Sequence, residues 1–217
     1  MSGSPVRGEK TCPLGGEKFE IVETMMCTIM GRTMSFRQVT TCEFVTKLPV
    51  CPSNGLPLYR EFSERELEQL GKFVETEDYK VIRKLPPWQR AYKLAEVLEH
   101  TRSKGAFLIL LQAFWFENEA LLKNGDLFEE FIEEAEAEFG RVDKEKPFVA
   151  AITGYALALA DETELADEWL ARAVSLADAM DEQNENADYL RAYLSRVSEC
   201  QDNMASQACH PDAVFRP

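Results

Sequence analysis

Two short stretches hold the residues best suited to chemistry: Cys12-Pro13-Leu14-Gly15-Gly16 and Cys51-Pro52-Ser53-Asn54-Gly55. A cysteine followed by proline and closed by glycine folds a tight turn with sulfur at its tip. Where a second thiolate follows three residues on, two such turns can surround a structural zinc ion with four sulfurs. Here Gly15 and Asn54 occupy the second positions, so two of the four ligands are missing. Cys27 and Cys42 can restore the number, giving Cys12, Cys27, Cys42 and Cys51, yet none of these forms a CxxC pair. Two readings follow: a metal centre built on these four cysteines, or a turn geometry kept after metal loss, with Cys27 and Cys42 as small buried residues. The incomplete ligand set favours the second, so no metal, cofactor-binding or catalytic residue is assigned, and zinc stays the one cofactor to test for.

Other constellations are sparser. The only histidines are His100 and His210. No glycine-rich phosphate loop, nucleophile elbow or HExxH motif occurs, and nothing in the spacing supports a cysteine acting with His100 as a nucleophile. Cys209-His210 has the form of a ligand pair but falls in a stretch without apolar periodicity. Glu129, Glu130, Glu133, Glu134, Glu136 and Glu138 alternate with Phe128, Phe131, Ile132 and Ala135 at helical spacing, so they read as a solvated face rather than an acid-base pair.

Regional charge indicates how these residues are carried. The formal charge of the 217 residues is -14. Residues 1–60 hold seven Lys/Arg and five Glu, a net of +2, leaving -16 for the remainder. That asymmetry suggests two modules, while the overall charge of -14, with a net of only +2 on residues 1–60, argues against nucleic acid or an anionic membrane as partner. Met1 to Lys10 is polar, and the longest apolar run, Ala106 to Phe116, is too short for a bilayer that needs about 20 residues. The expectation is a cytoplasmic protein whose six cysteines are mostly reduced.

The positioning elements follow from periodicity. Residues 1–10 read as a flexible lead-in and 11–61 as a small β-rich cysteine module, with a strand from Phe19 and a small antiparallel sheet through the Thr-rich stretch that ends at Val45. Residues 62–200 read as helical. Ser63 and Glu66 form a capping box, Pro86-Pro87 starts a second helix, and Gly105 to Leu122 is apolar on nearly every side and should lie at the centre of the core. Asn124-Gly125-Asp126 caps the glutamate-rich helix. Pro147 opens a helical pair that turns at Asp161-Glu162-Thr163, with small residues at Gly154, Ala166 and Ala173 and the large Leu170 among them. A last helix spans Asn186 to Cys200 after the polar connection 181–185, and 201–217 reads as a flexible tail.

Taken together, these features resemble an uncharacterised bacterial family that joins a CPxCG zinc-ribbon-like module to tetratricopeptide-like helices. The resemblance is carried by Cys12-Pro13 with Phe19, Cys51-Pro52 with Gly55 and Phe62, and the helical pair around Gly154 and Ala166. Gly15 and Asn54 depart from the ribbon pattern. Ala150, Thr153 and Asp178 depart from the repeat pattern at its aromatic, leucine and proline positions. The implied fold is mainly α, with a small amino-terminal β module and an antiparallel helical-hairpin array.

The expected function is a non-enzymatic protein-interaction or scaffold module whose acidic surface favours a basic protein partner, with oligomeric state left open. The alternative is a metal- or redox-responsive regulatory binding protein acting through the amino-terminal cysteines.

Overall fold

The computed structural model describes residues 5–24, 27–41, 47–103, 105–181 and 185–217. These residues are mainly helical, with a small antiparallel sheet region near the amino terminus. They divide into two compact units, one formed by 1–29 and 40–120 and the other by 30–39 and 121–217. The sequence boundary expected at 61/62 therefore falls inside the first unit, and part of the expected cysteine module belongs to the second.

In the first unit, β1 (Pro5–Thr11) pairs antiparallel with β2 (Lys18–Thr24), from Pro5 opposite Thr24 to Thr11 opposite Lys18. The described part of the expected lead-in is thus largely strand. α1 (Glu64–Phe73) begins with the expected capping box, in which Ser63 and Glu66 each bond the other's backbone. α2 (Glu77–Ile82), absent from the sequence expectation, starts where Thr76 accepts the Tyr79 N–H. α3 (Pro87–Val97) has no side-chain cap of its own. Glu117 supplies one, accepting the Trp88 and Gln89 N–H groups at 2.8 and 3.2 Å. Burial raises the Glu117 pKa above the ordinary carboxylate range, while these two N–H bonds oppose the shift.

The expected all-apolar helix is two pieces, α4 (Ala106–Phe116) and α5 (Asn118–Leu122). It is not enclosed on every side: Phe107, Leu110, Ala113 and Phe114 are buried, but Leu108 is 51% exposed. Cys12, Cys51 and Leu56 share one apolar cluster with Leu70, Tyr79, Leu94 and Leu98, against which Phe19, Leu58 and Phe62 pack. The two cysteine turns are therefore part of the helical core of this unit.

The second unit contains α6 (Gly125–Arg141), α7 (Lys146–Leu159), α8 (Thr163–Asp178) and α9 (Glu185–Gln201). Asn124 caps α6 by accepting the Leu127 N–H. The α6 glutamates do not form one solvated face, because Glu134 is fully buried and Glu138 nearly so, the latter paired with Arg141. α7 and α8 pack closely. A Cβ on Gly154 would lie 2.8 Å from Leu170 Cγ and 3.1 Å from the Leu170 nitrogen, and Ala166 and Ala173 are buried.

Residues 30–39 join these helices through an aromatic cluster. Phe36, held at φ 64°, places its ring 4.3 Å from Tyr193 and 5.8 Å from Phe148. The fully buried Tyr193 hydroxyl donates to the Met34 carbonyl at 2.7 Å. β3 (Ile29–Thr33) lies between β4 (Gln38–Thr40) and β5 (Val214–Phe215), pairing antiparallel with β5 at Arg32–Phe215 and Thr33–Val214.

The segment 201–217 is therefore integrated, contrary to the expected flexible tail. Cys200 is bonded to Cys209, Tyr155 donates to the Cys209 carbonyl at 2.5 Å, and Phe215 is buried. Among the described residues, no helix is long and apolar enough to cross a membrane. The expected connection at 181–185 lies mostly outside the described residues, as does Cys42.

Candidate functional site

The two cysteine turns have one geometry built from different sequences. In the first, Cys12 N–H donates to the Glu17 carbonyl at 2.8 Å and Gly16 N–H to the Cys12 carbonyl at 2.8 Å. In the second, Cys51 N–H donates to the Leu56 carbonyl at 2.9 Å and Gly55 N–H to the Cys51 carbonyl at 2.9 Å. The closing glycines sit in the left-handed region, with φ 74° at Gly16 and 77° at Gly55, where a side chain is strained. Proline after cysteine and glycine four residues on are enough to encode this shape.

The turns face each other, and Cys12 and Cys51 are joined by a disulfide with Cα atoms 5.4 Å apart. Both are 1% exposed. The expectation of reduced thiols is thereby corrected: no described cysteine is free, and Cys27 too is disulfide-bonded. The signal for this pairing in the sequence is the symmetry of two turns presenting sulfur at equivalent points, Cys12 and Cys51.

The positions of the absent thiolates are partly filled. Glu17 reaches across so that a Cβ on Gly15 would overlap its carboxylate and lie 2.9 Å from Ser53 Oγ. One Glu17 oxygen, Oε1, accepts the Ser53 hydroxyl at 2.6 Å and the Ser53 N–H at 3.2 Å, linking the turns. The Ser53 hydroxyl is the main reason the Glu17 carboxyl titrates below its ordinary value. The other oxygen, Oε2, is buried without a hydrogen-bond partner. Asn54 replaces the second missing thiolate, with its Nδ2 3.7 Å from Cys12 Sγ and its Oδ1 accepting the Leu56 N–H at 2.9 Å.

Two arginines fix the second turn to the helices of its unit. Arg83, at the end of α2, donates to the Ser53 carbonyl at 2.9 Å. Arg90, buried on α3, donates to the Gly55 carbonyl at 2.5 Å and the Leu85 carbonyl at 2.8 Å. The sulfurs of Cys12 and Cys51 and a Glu17 oxygen lie within 4.8 Å of one another. Two sulfurs and a carboxylate suit a borderline divalent ion once the disulfide is opened, since only thiolates act as the sulfur ligands. Of the four cysteines considered from sequence, Cys12 and Cys51 meet, and Glu17 is the neighbour that sequence reasoning did not supply.

A second feature of the same unit is a cleft of about 610 Å³ lined by Tyr59, Trp88, Ala95, Leu108 and Ile109, with Arg60 and His100 also on its wall. Arg60 donates to Glu66 at 2.6 Å and lies 2.9 Å from His100 Nδ1, while His100 Nε2 is 3.3 Å from Glu66. Because a guanidinium has no acceptor, Nδ1 accepts and the proton sits on Nε2 facing Glu66. His100 is thus engaged by Arg60 and Glu66 rather than by a thiol. His210 turns its Nδ1 to the Asp212 N–H at 3.2 Å, while Cys209 is consumed in a disulfide, so that pair forms no ligand set.

Comparison with models of known protein families, with curated proteins and with solved structures found no match.

Proposed function

We propose that the chain is a non-enzymatic protein-interaction module that captures a basic partner by an apolar side chain. The observation that carries this reading is the cleft at Tyr59, Trp88 and Leu108. Its apolar wall includes an exposed leucine, and the two ionic groups on it, Arg60 and His100, are already engaged by each other and by Glu66. Such a cleft suits burial of a large apolar side chain better than proton transfer. The charge of -14 supplies the preference for a basic partner.

The proposal includes kinship with the bacterial proteins that combine CPxCG turns and tetratricopeptide-like helices. The paired turns and the close Gly154–Leu170 packing support it. The test is capture from a lysate at low salt, followed by cross-link mapping with purified components. A defined basic protein that cross-links beside Leu108 and is released by Leu108→Asp supports the reading. Background recovery, or binding unchanged by Leu108→Asp, contradicts it.

A second reading, a metal- or redox-responsive binding protein, is favoured by the meeting of Cys12, Cys51 and Glu17. Elemental analysis after reduction and incubation with zinc tests it: about one ion per chain supports it, and none removes its basis.

A further inference from the structure

We propose that the paired turns form a redox-gated metal site in which the Glu17 carboxylate replaces a thiolate, and that the reduced form binds a borderline-soft divalent ion such as zinc through Cys12, Cys51 and Glu17. The inference deepens the second reading above and does not depend on the cleft or on any protein partner.

Three observations converge. First, the turns already place hydrogen-bond donors at sulfur, with Gly15 N–H 3.4 Å and Asn54 Nδ2 3.7 Å from Cys12 Sγ. Donors in this position can satisfy the remaining lone pairs of a metal-bound sulfur. Second, Glu17 uses Oε1 for Ser53 and leaves buried Oε2 without a partner. A cation between the sulfurs can satisfy that oxygen. Third, the three ligand atoms lie within 4.8 Å of one another. Zinc-sulfur bonds of about 2.3 Å in tetrahedral geometry need sulfurs about 3.8 Å apart, so the main change is opening of the sulfur pair.

The chemistry balances with a dithiol as reductant. The Cys12–Cys51 bond takes two electrons and two protons, while the dithiol loses the same and closes to its own disulfide. Binding of the divalent ion then releases the two thiol protons to solvent. Disulfide and metal exclude each other, yet each cross-links the same pair of turns. The core shared with Leu56, Leu70 and Leu94 therefore keeps a cross-link in either state.

The test is thiol footprinting of the reduced full-length chain. The chain is reduced with a phosphine, then alkylated with and without zinc, and labelling of each cysteine is read by peptide mass spectrometry. Zinc is expected to slow labelling of Cys12 and Cys51 by at least about ten-fold and to leave Cys200 and Cys209 unprotected. Glu17→Gln, which keeps an oxygen for Ser53 but lacks the anionic ligand, should lose most of that protection. Its fold is checked beforehand in the oxidised state by circular dichroism. Equal labelling with and without zinc, protection spread evenly over all cysteines, or full protection in Glu17→Gln overturns the proposal.

Discussion

Glu66 combines two tasks, closing the capping box of α1 and accepting the Arg60 guanidinium at 2.6 Å. The Arg60 hydrogen bond, with help from Ser63, holds its carboxyl down at about 2. Because the folded value lies below the unfolded one near 4.5, the added stability is fully present above 4.5 and is lost as pH falls toward 2. Glu66→Gln should flatten that acid limb in urea midpoints measured from neutral pH down to this range, while an unchanged acid limb would contradict the assignment. Tyr193 offers a second residue-scale test, since its buried hydroxyl serves the Met34 carbonyl. Tyr193→Phe should cost about 1–2 kcal/mol by chemical denaturation.

At the scale of elements, α7 and α8 depend on the absence of a side chain at one point. Any Cβ on Gly154 presses on Leu170 at 2.8 Å. Gly154→Val should destabilise by about 2–3 kcal/mol, and Leu170→Ala introduced with it should restore part of the loss in a thermal-unfolding cycle. This pair was legible in sequence because small residues at fixed spacing are a local signal. The α1 capping box was legible for the same reason. α4 was misread, because its composition is apolar all round whereas its exposed side depends on which helices pack nearby. The α6 glutamates failed similarly: Glu134 is buried although its helix carries charge on most turns. Glu17 was invisible as a site residue because its role depends on reaching Ser53 on the facing turn, 36 positions away.

At the scale of the molecule, one covalent link closes the expected cysteine module on itself and another ties down the expected loose end. The Cys12–Cys51 bond spans 39 positions and Cys200–Cys209 spans nine. Loop-closure entropy makes these worth about 4 and about 3 kcal/mol respectively. The expected free tail was misread because neither the Cys200–Cys209 bond nor the pairing of β5 with β3 is written in local periodicity. Replacing both Cys200 and Cys209 with serine should speed proteolysis within 201–217, read by mass spectrometry, and an unchanged cleavage pattern would show the disulfide to be dispensable there.

In the oxidised protein the turns at Cys12 and Cys51 converge and are bonded. Non-reducing peptide mapping of chain purified in air without reductant reads this bond. A linked pair of peptides carrying Cys12 and Cys51 is expected; Cys12 bonded instead to Cys27, or Cys12 and Cys51 both recovered as free thiols, would show that the two turns do not meet.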